Sequence, residues 1–125
     1  MASDYQENKK NRIGVYYAAN GVRHALETEI NMRVHIIIML MVVLFGFILG
    51  VSKLEWVSLL ITIGMVLTAE MFNTAVEHIM DYLAPERNEA VGRIKDLTAG
   101  AVLVTSVIAL LVGIIIFLPK IIVMF

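Results

Sequence analysis

The sequence predicts an all-α integral membrane protein, with an N-terminal amphipathic surface helix and three transmembrane helices in one membrane domain, 1–125. Of the 125 residues, 59% are apolar and the mean hydropathy is positive, which is far from the composition of an ordinary soluble domain. Three long runs contain no charged residue, at 34–52, 56–69 and 97–119. Because a spanning helix needs about 20 predominantly apolar residues, each run supplies all or most of one span.

Residues 1–33 form a predicted cytoplasmic segment that contains the surface helix. Val15, Ala19, Val22 and Leu26 recur at helical spacing and cluster on one side, with polar residues opposite. Such a pattern is typical of a helix that buries one face in a membrane interface.

The predicted spans cover 34–52, 54–83 and 86–119. The turn between the first two is very short, so these helices are expected to be antiparallel neighbours. The second is long enough to extend beyond the membrane, and Pro85 is expected to separate it from the third.

Positive charge is distributed unevenly between the segments that flank the spans. Five basic residues precede the first span and three lie between the second and third, whereas the other two segments hold one lysine each. By the positive-inside rule, the N-terminus and the loop between the second and third spans are expected to be cytoplasmic.

Glu70, Asn73, Glu77 and Asp81 form a polar stripe on the second span. Their spacing places the four side chains within roughly 80° of one another on an α-helix. Counted from Trp56, Glu70 lies about 21 Å and Asp81 about 38 Å along the helix, against a hydrocarbon core of roughly 30 Å. The stripe therefore begins in the cytoplasmic leaflet and continues into the cytosol. Ionisable groups at membrane depth indicate a functional site.

Lys95 and Asp96 precede the third span and are expected at the same height as the cytoplasmic end of this stripe. Carboxylates without cysteine ligands suit Mg²⁺, which prefers one or two carboxylates together with substrate phosphates. A lysine beside them can hold a phosphate oxygen, and a carboxylate partly buried in lipid suits a general base for a lipid hydroxyl. Together these groups indicate phosphoryl transfer at the bilayer surface, although the chain has no P-loop and no protein-kinase catalytic loop.

The residues alone leave other interpretations open. Glu70 also suits the proton site of a small proton-coupled transporter subunit, in which the cytoplasmic polar residues would not matter. The stripe would otherwise be a polar seam between helices. Gly46 and Gly50 form a small-xxx-small pattern that is compatible with a non-catalytic assembly protein.

The pattern ExxNTAxE at 70–77, with Asp81 and the segment GRIKDLTAGA at 92–101, resembles the prokaryotic diacylglycerol kinase family, which includes undecaprenol kinases. The resemblance covers nearly the whole chain. It implies a homotrimer of three-span protomers in the bacterial inner membrane, with ATP and Mg²⁺ as donor and with active sites where protomers meet. Thr74 and the later segment are more similar to the undecaprenol kinases, so undecaprenol is the expected lipid alcohol and diacylglycerol the alternative.

The resemblance also implies a role for each matching polar residue. Glu70 is the expected catalytic base and contacts the lipid substrate, and Glu29 and Glu77 are the expected Mg²⁺ ligands. The nucleotide and phosphate site is expected to comprise Glu29, Asn73, Glu77, Asp81, Lys95 and Asp96. Arg12 and Arg23 are candidate contacts to the lipid substrate.

Overall fold

The computed structural model describes residues 14–86 and 88–125, and the part of the chain so described is helical without any strand. Its helices are α1 (Gly14–Thr28), α2 (Ile30–Ile48), α3 (Lys53–Leu83) and α4 (Glu89–Met124). The last three are long and apolar enough to cross a membrane. The predicted all-α fold with three spans is confirmed. Arg12 lies outside the described residues, as does the rest of 1–13.

Glu29 lies at a break between α1 and α2, which we call the elbow. Its backbone is extended (φ −108°, ψ 117°), so α1 ends at Thr28 and the first spanning helix begins at Ile30, four residues before the predicted start. Arg33 stabilises the elbow, since its Nε donates to the carbonyl of Leu26 at 2.7 Å and its Nη2 donates to the carbonyl of Glu27. A cationic donor at a helix C-terminus satisfies carbonyls that have no partner within the helix.

The connection from α2 to α3 is a tight reversal built around glycine. Gly50 adopts a left-handed conformation (φ 67°), and the N–H of Val51 donates to the carbonyl of Gly46 at 3.0 Å, as in a Schellman motif. Ser52 and Glu55 then form a capping box at the start of α3. The helix therefore ends at Ile48 rather than at residue 52, because the chain needs residues 49–52 to turn.

Gly46 allows α2 and α3 to approach each other. A Cβ atom at this position would lie only 2.5 Å from Cη2 of Trp56, whose ring also packs against Phe47 with centroids 4.9 Å apart. Gly46 and Gly50 thus both have roles inside this hairpin.

The longest helix, α4, packs mainly along α3. It begins at Glu89 rather than at residue 86, because Asn88 is the N-cap and its side chain accepts a hydrogen bond from the N–H of Ala90 at 2.8 Å. The helix continues through Pro119 to Met124. Near this end, Lys120 Nζ lies 3.1 Å from Glu55 Oε2, which ties α4 to the first turn of α3.

Candidate active site

Glu70 is the most deeply buried ionisable residue in the described chain. It is 2% exposed, and Asn73 and Thr74 beside it on α3 are also buried. Among the described residues, Glu70 forms an ion pair with His35 of α2, whose Nε2 lies 3.6 Å from Glu70 Oε2. Burying a carboxylate is costly unless polar groups compensate it, so His35 and the neighbouring polar residues of α3 are essential parts of its environment.

Asn73 connects Glu70 to α4. The hydroxyl of Thr98 donates to Asn73 Oδ1 at 2.8 Å, and the side chain of Asn73 in turn interacts with Glu70. With Oδ1 held by Thr98, the amide nitrogen of Asn73 is the group available to the carboxylate. Residues of three helices, α2, α3 and α4, therefore determine the position of Glu70.

Asp81 and Lys95 meet near the ends of α3 and α4. Lys95 Nζ donates to Asp81 Oδ1 at 2.6 Å. Both residues line a cleft of about 390 Å³ whose other polar walls include Asn88 and Glu89. Asp96 is exposed on α4 and makes no hydrogen bond or ion pair within the described residues.

Glu29 faces α3 from the elbow between α1 and α2. Its Oε1 lies 3.6 Å from His78 Nε2, and the ring of His24 packs edge-on against that of His78 with centroids 5.6 Å apart. The charges of Glu29 and of the half-buried Glu77 both act on Glu70. The three acids thus belong to one electrostatic cluster, although no group of three metal-ligating side chains is assembled among residues 14–86 and 88–125.

Arg23 lies apart from this cluster on the exposed surface of α1. Its Nε donates to Glu27 Oε1 at 2.7 Å. This hydrogen bond and the charge of Glu27 raise the pKa of the Arg23 guanidinium above its ordinary value.

Three polar residues of the site had been given no functional role from the sequence. His35 and His78 are not among the site residues that the sequence predicts, yet each faces an acid of the cluster. Thr98 was not singled out, yet it holds Asn73. The position of His35 in an otherwise apolar run was the available signal, because a polar side chain at membrane depth usually has a polar partner.

The fold and the site define the class as a multi-span membrane protein with an acidic centre between its helices. The family model for prokaryotic diacylglycerol kinase matches residues 16–117, and the chain belongs to that family. It is therefore an ATP-dependent lipid kinase, and the transporter and assembly interpretations are set aside.

Three relatives illustrate the similarity. The chain is 34% identical over 122 residues to the undecaprenol kinase of Bacillus subtilis (strain 168), covering 96% of this chain and 99% of the relative. It is 30% identical over 95 residues to the diacylglycerol kinase of Escherichia coli (strain K12), covering 76% and 78% of the two chains. It is 29% identical over 88 residues to the diacylglycerol kinase of Haemophilus influenzae, covering 70% and 75%.

Proposed function

We propose that this lipid kinase transfers the γ-phosphoryl group of ATP to undecaprenol. The observation that carries the proposal is the similarity to an undecaprenol kinase over nearly the full length of both chains. Diacylglycerol is the second candidate, because other relatives that match most of this chain are diacylglycerol kinases.

Glu70 is the general base for the lipid hydroxyl in this proposal. Its carboxylate takes the hydroxyl proton while the lipid oxygen forms a bond to the γ-phosphorus. The bond from the γ-phosphorus to the bridging oxygen breaks, and ADP leaves with the electron pair. Burial of Glu70 supports this role, since water-poor surroundings favour uptake of a proton by a carboxylate.

Mg²⁺ is the proposed metal ion, held by the acids around this base. Glu29, Glu70 and Glu77 interact through their charges, and no lysine or arginine forms an ion pair with them among the described residues. His35 and His78 are the described ion-pair partners of these acids, and a cluster of carboxylate oxygens with no lysine or arginine partner suits a divalent cation. Glu29 and Glu77 would hold it, with the remaining ligands coming from phosphate oxygens and water, and it would neutralise charge on the transferred phosphoryl group.

The nucleotide phosphates are proposed to bind on the cytoplasmic side of Glu70. Lys95 has three N–H donors and Asp81 accepts from one, which leaves two for phosphate oxygens. Asn73 and the exposed Asp96 complete the proposed nucleotide site. Arg12 and Arg23 remain proposed contacts to the lipid substrate.

The active assembly is proposed to be a homotrimer in the bacterial inner membrane, with its N-terminus and the loop between α3 and α4 in the cytoplasm. In this arrangement α1 lies along the membrane surface. Large apolar side chains are exposed along all three spanning helices, which supports contact with lipid and with neighbouring protomers.

A phosphorylation assay on purified protein tests this proposal. Radiolabelled ATP is supplied with Mg²⁺ and either undecaprenol or diacylglycerol in mixed micelles, and the labelled lipid is measured. We expect faster turnover with undecaprenol and loss of about 10²-fold or more of kcat in Glu70→Gln, as is typical for a general base. Glu55→Gln is the matched control, because it changes an acid of the same helix about 22 Å away. Normal turnover in Glu70→Gln would show that the base is another group.

The metal roles have a separate readout. Glu77→Gln is expected to raise the Mg²⁺ concentration needed for half-maximal rate, whereas the control Glu55→Gln leaves it unchanged. An unaltered Mg²⁺ requirement in both Glu77→Gln and Glu29→Gln would contradict these roles.

A further inference from the structure

We infer that His35 is a positioning residue for the base, holding the Glu70 carboxylate in the charged state that accepts the lipid proton. This inference rests on the proposed role of Glu70. It concerns a contact between two helices, since His35 lies on α2 and Glu70 on α3. Their separation of 3.6 Å between Nε2 and Oε2 is longer than a hydrogen bond, so the interaction is electrostatic.

The surroundings of Glu70 explain why His35 matters. Glu77 on α3 and Glu29 at the elbow are both acids, and without bound Mg²⁺ each opposes a negative charge on Glu70. Asn73 is neutral, and α4 reaches the site through the uncharged Thr98. Among the side chains of residues 14–86 and 88–125, His35 is thus the ion-pair partner that can place positive charge against Glu70, in addition to the Mg²⁺ proposed at Glu29 and Glu77. Its Nε2–H tautomer also directs a dipole at the carboxylate.

His35 also lies on the route that a lipid would use. It lines an apolar groove of about 490 Å³ between α2, α3 and α4, together with Met39, Val66 and Leu67. Its side chain is 19% exposed, whereas Glu70 is almost fully buried. A hydroxyl that approaches from the groove therefore meets the imidazole edge before it reaches the carboxylate. The proton still moves from the lipid oxygen to Glu70, and His35 exchanges no atom with the substrate.

His35→Leu and His35→Gln test the inference, with Met41→Leu as the matched control, because Met41 lies on the same helix, is 52% exposed and does not line the groove. In His35→Leu we expect kcat to fall about tenfold at neutral pH, with the KM for ATP unchanged, as for loss of a partner to a charged group. The acidic limb of the kcat profile should move to higher pH, because the carboxylate loses the group that stabilises its charge. His35→Gln retains an N–H donor and should recover part of the rate, whereas Met41→Leu should resemble wild type.

Two results would overturn the inference: an unchanged kcat and pH profile in His35→Leu, or equal losses in both His35 variants without any movement of the profile. If His35→Leu does not fold, the pH profile of kcat in His35→Gln is the test. A pH profile identical to that of the wild type would contradict a positioning role. Glu70→Gln is measured in parallel. If Glu70→Gln is active, both the proposed base role of Glu70 and the positioning role of His35 are wrong. If Glu70→Gln is inactive and His35→Leu has normal activity, only the positioning role of His35 is wrong.

Discussion

Replacing Thr98 with valine tests whether α4 holds Asn73 in place beside Glu70. The substitution is nearly isosteric, so packing changes little while the hydroxyl donor is lost. Thr98 donates to Asn73 Oδ1 at 2.8 Å across the interface between α3 and α4. Without it, the amide of Asn73 is free to rotate and to present its oxygen to Glu70, which would repel a carboxylate.

The expected magnitude follows from the burial of Asn73, which is only 5% exposed. A buried acceptor left without a donor costs about 1–3 kcal/mol. We therefore expect the free energy of unfolding to fall by about 1–2 kcal/mol, because some of this penalty is relieved when the amide rotates. Since about 1.4 kcal/mol corresponds to a tenfold change in rate, we expect kcat to fall about two- to fivefold if half of this loss appears in the transition state.

Denaturant titration in mixed micelles, followed by the fluorescence of the single tryptophan, Trp56, measures the stability, and the radiolabelled-ATP assay measures kcat. Thr105→Val is the control, because Thr105 lies on the same helix and donates only to the carbonyls of Ala101 and Val102 in its own helix. If Thr98→Val and Thr105→Val have the same stability and the same kcat, the bond between Thr98 and Asn73 does not position the base.

Two further predictions concern packing and charge between the helices. Gly46→Ala places a methyl group 2.5 Å from the Trp56 ring and should lower the free energy of unfolding by about 1–3 kcal/mol. Gly64→Ala is the control, because a Cβ atom there would meet nothing within 4 Å, and it should not lower the stability. Equal stabilities of the two variants would show that the Trp56 ring moves aside freely. A double-mutant cycle with Asp81→Asn and Lys95→Met should give a coupling energy below about 1 kcal/mol, because the two side chains are 64% and 34% exposed. A coupling energy of several kcal/mol would mean that the pair is buried in the assembled protein.

Some features of the site were predictable because they depend only on residues close together in the chain. Glu70 and Asn73 are buried side by side on α3 because their spacing of three positions keeps them on one face of any α-helix. The meeting of Asp81 and Lys95 also followed from a short connection between two helices, which brings their adjacent ends to the same height.

Other features depend on local backbone conformation that hydropathy does not reveal. The first span begins after Glu29, four residues before the predicted start, and Arg33 supplies donors to the carbonyls at the end of α1. Similarly, Asn88 rather than the proline-containing segment determines where α4 begins, since its side chain caps the first turn.

Hydropathy and helical period are properties of contiguous residues, so the sequence is enough to predict three apolar helices and a polar stripe that runs from the cytoplasmic leaflet into the cytosol. The side chains that face that stripe from other helices are visible only in the folded chain. His35 reaches Glu70, Thr98 reaches Asn73, and His78 reaches Glu29 across helix interfaces. Such contacts depend on the rotation and crossing angle of each helix against its neighbours. Those are set by the packing of all the interfacing side chains, including the close approach at Gly46.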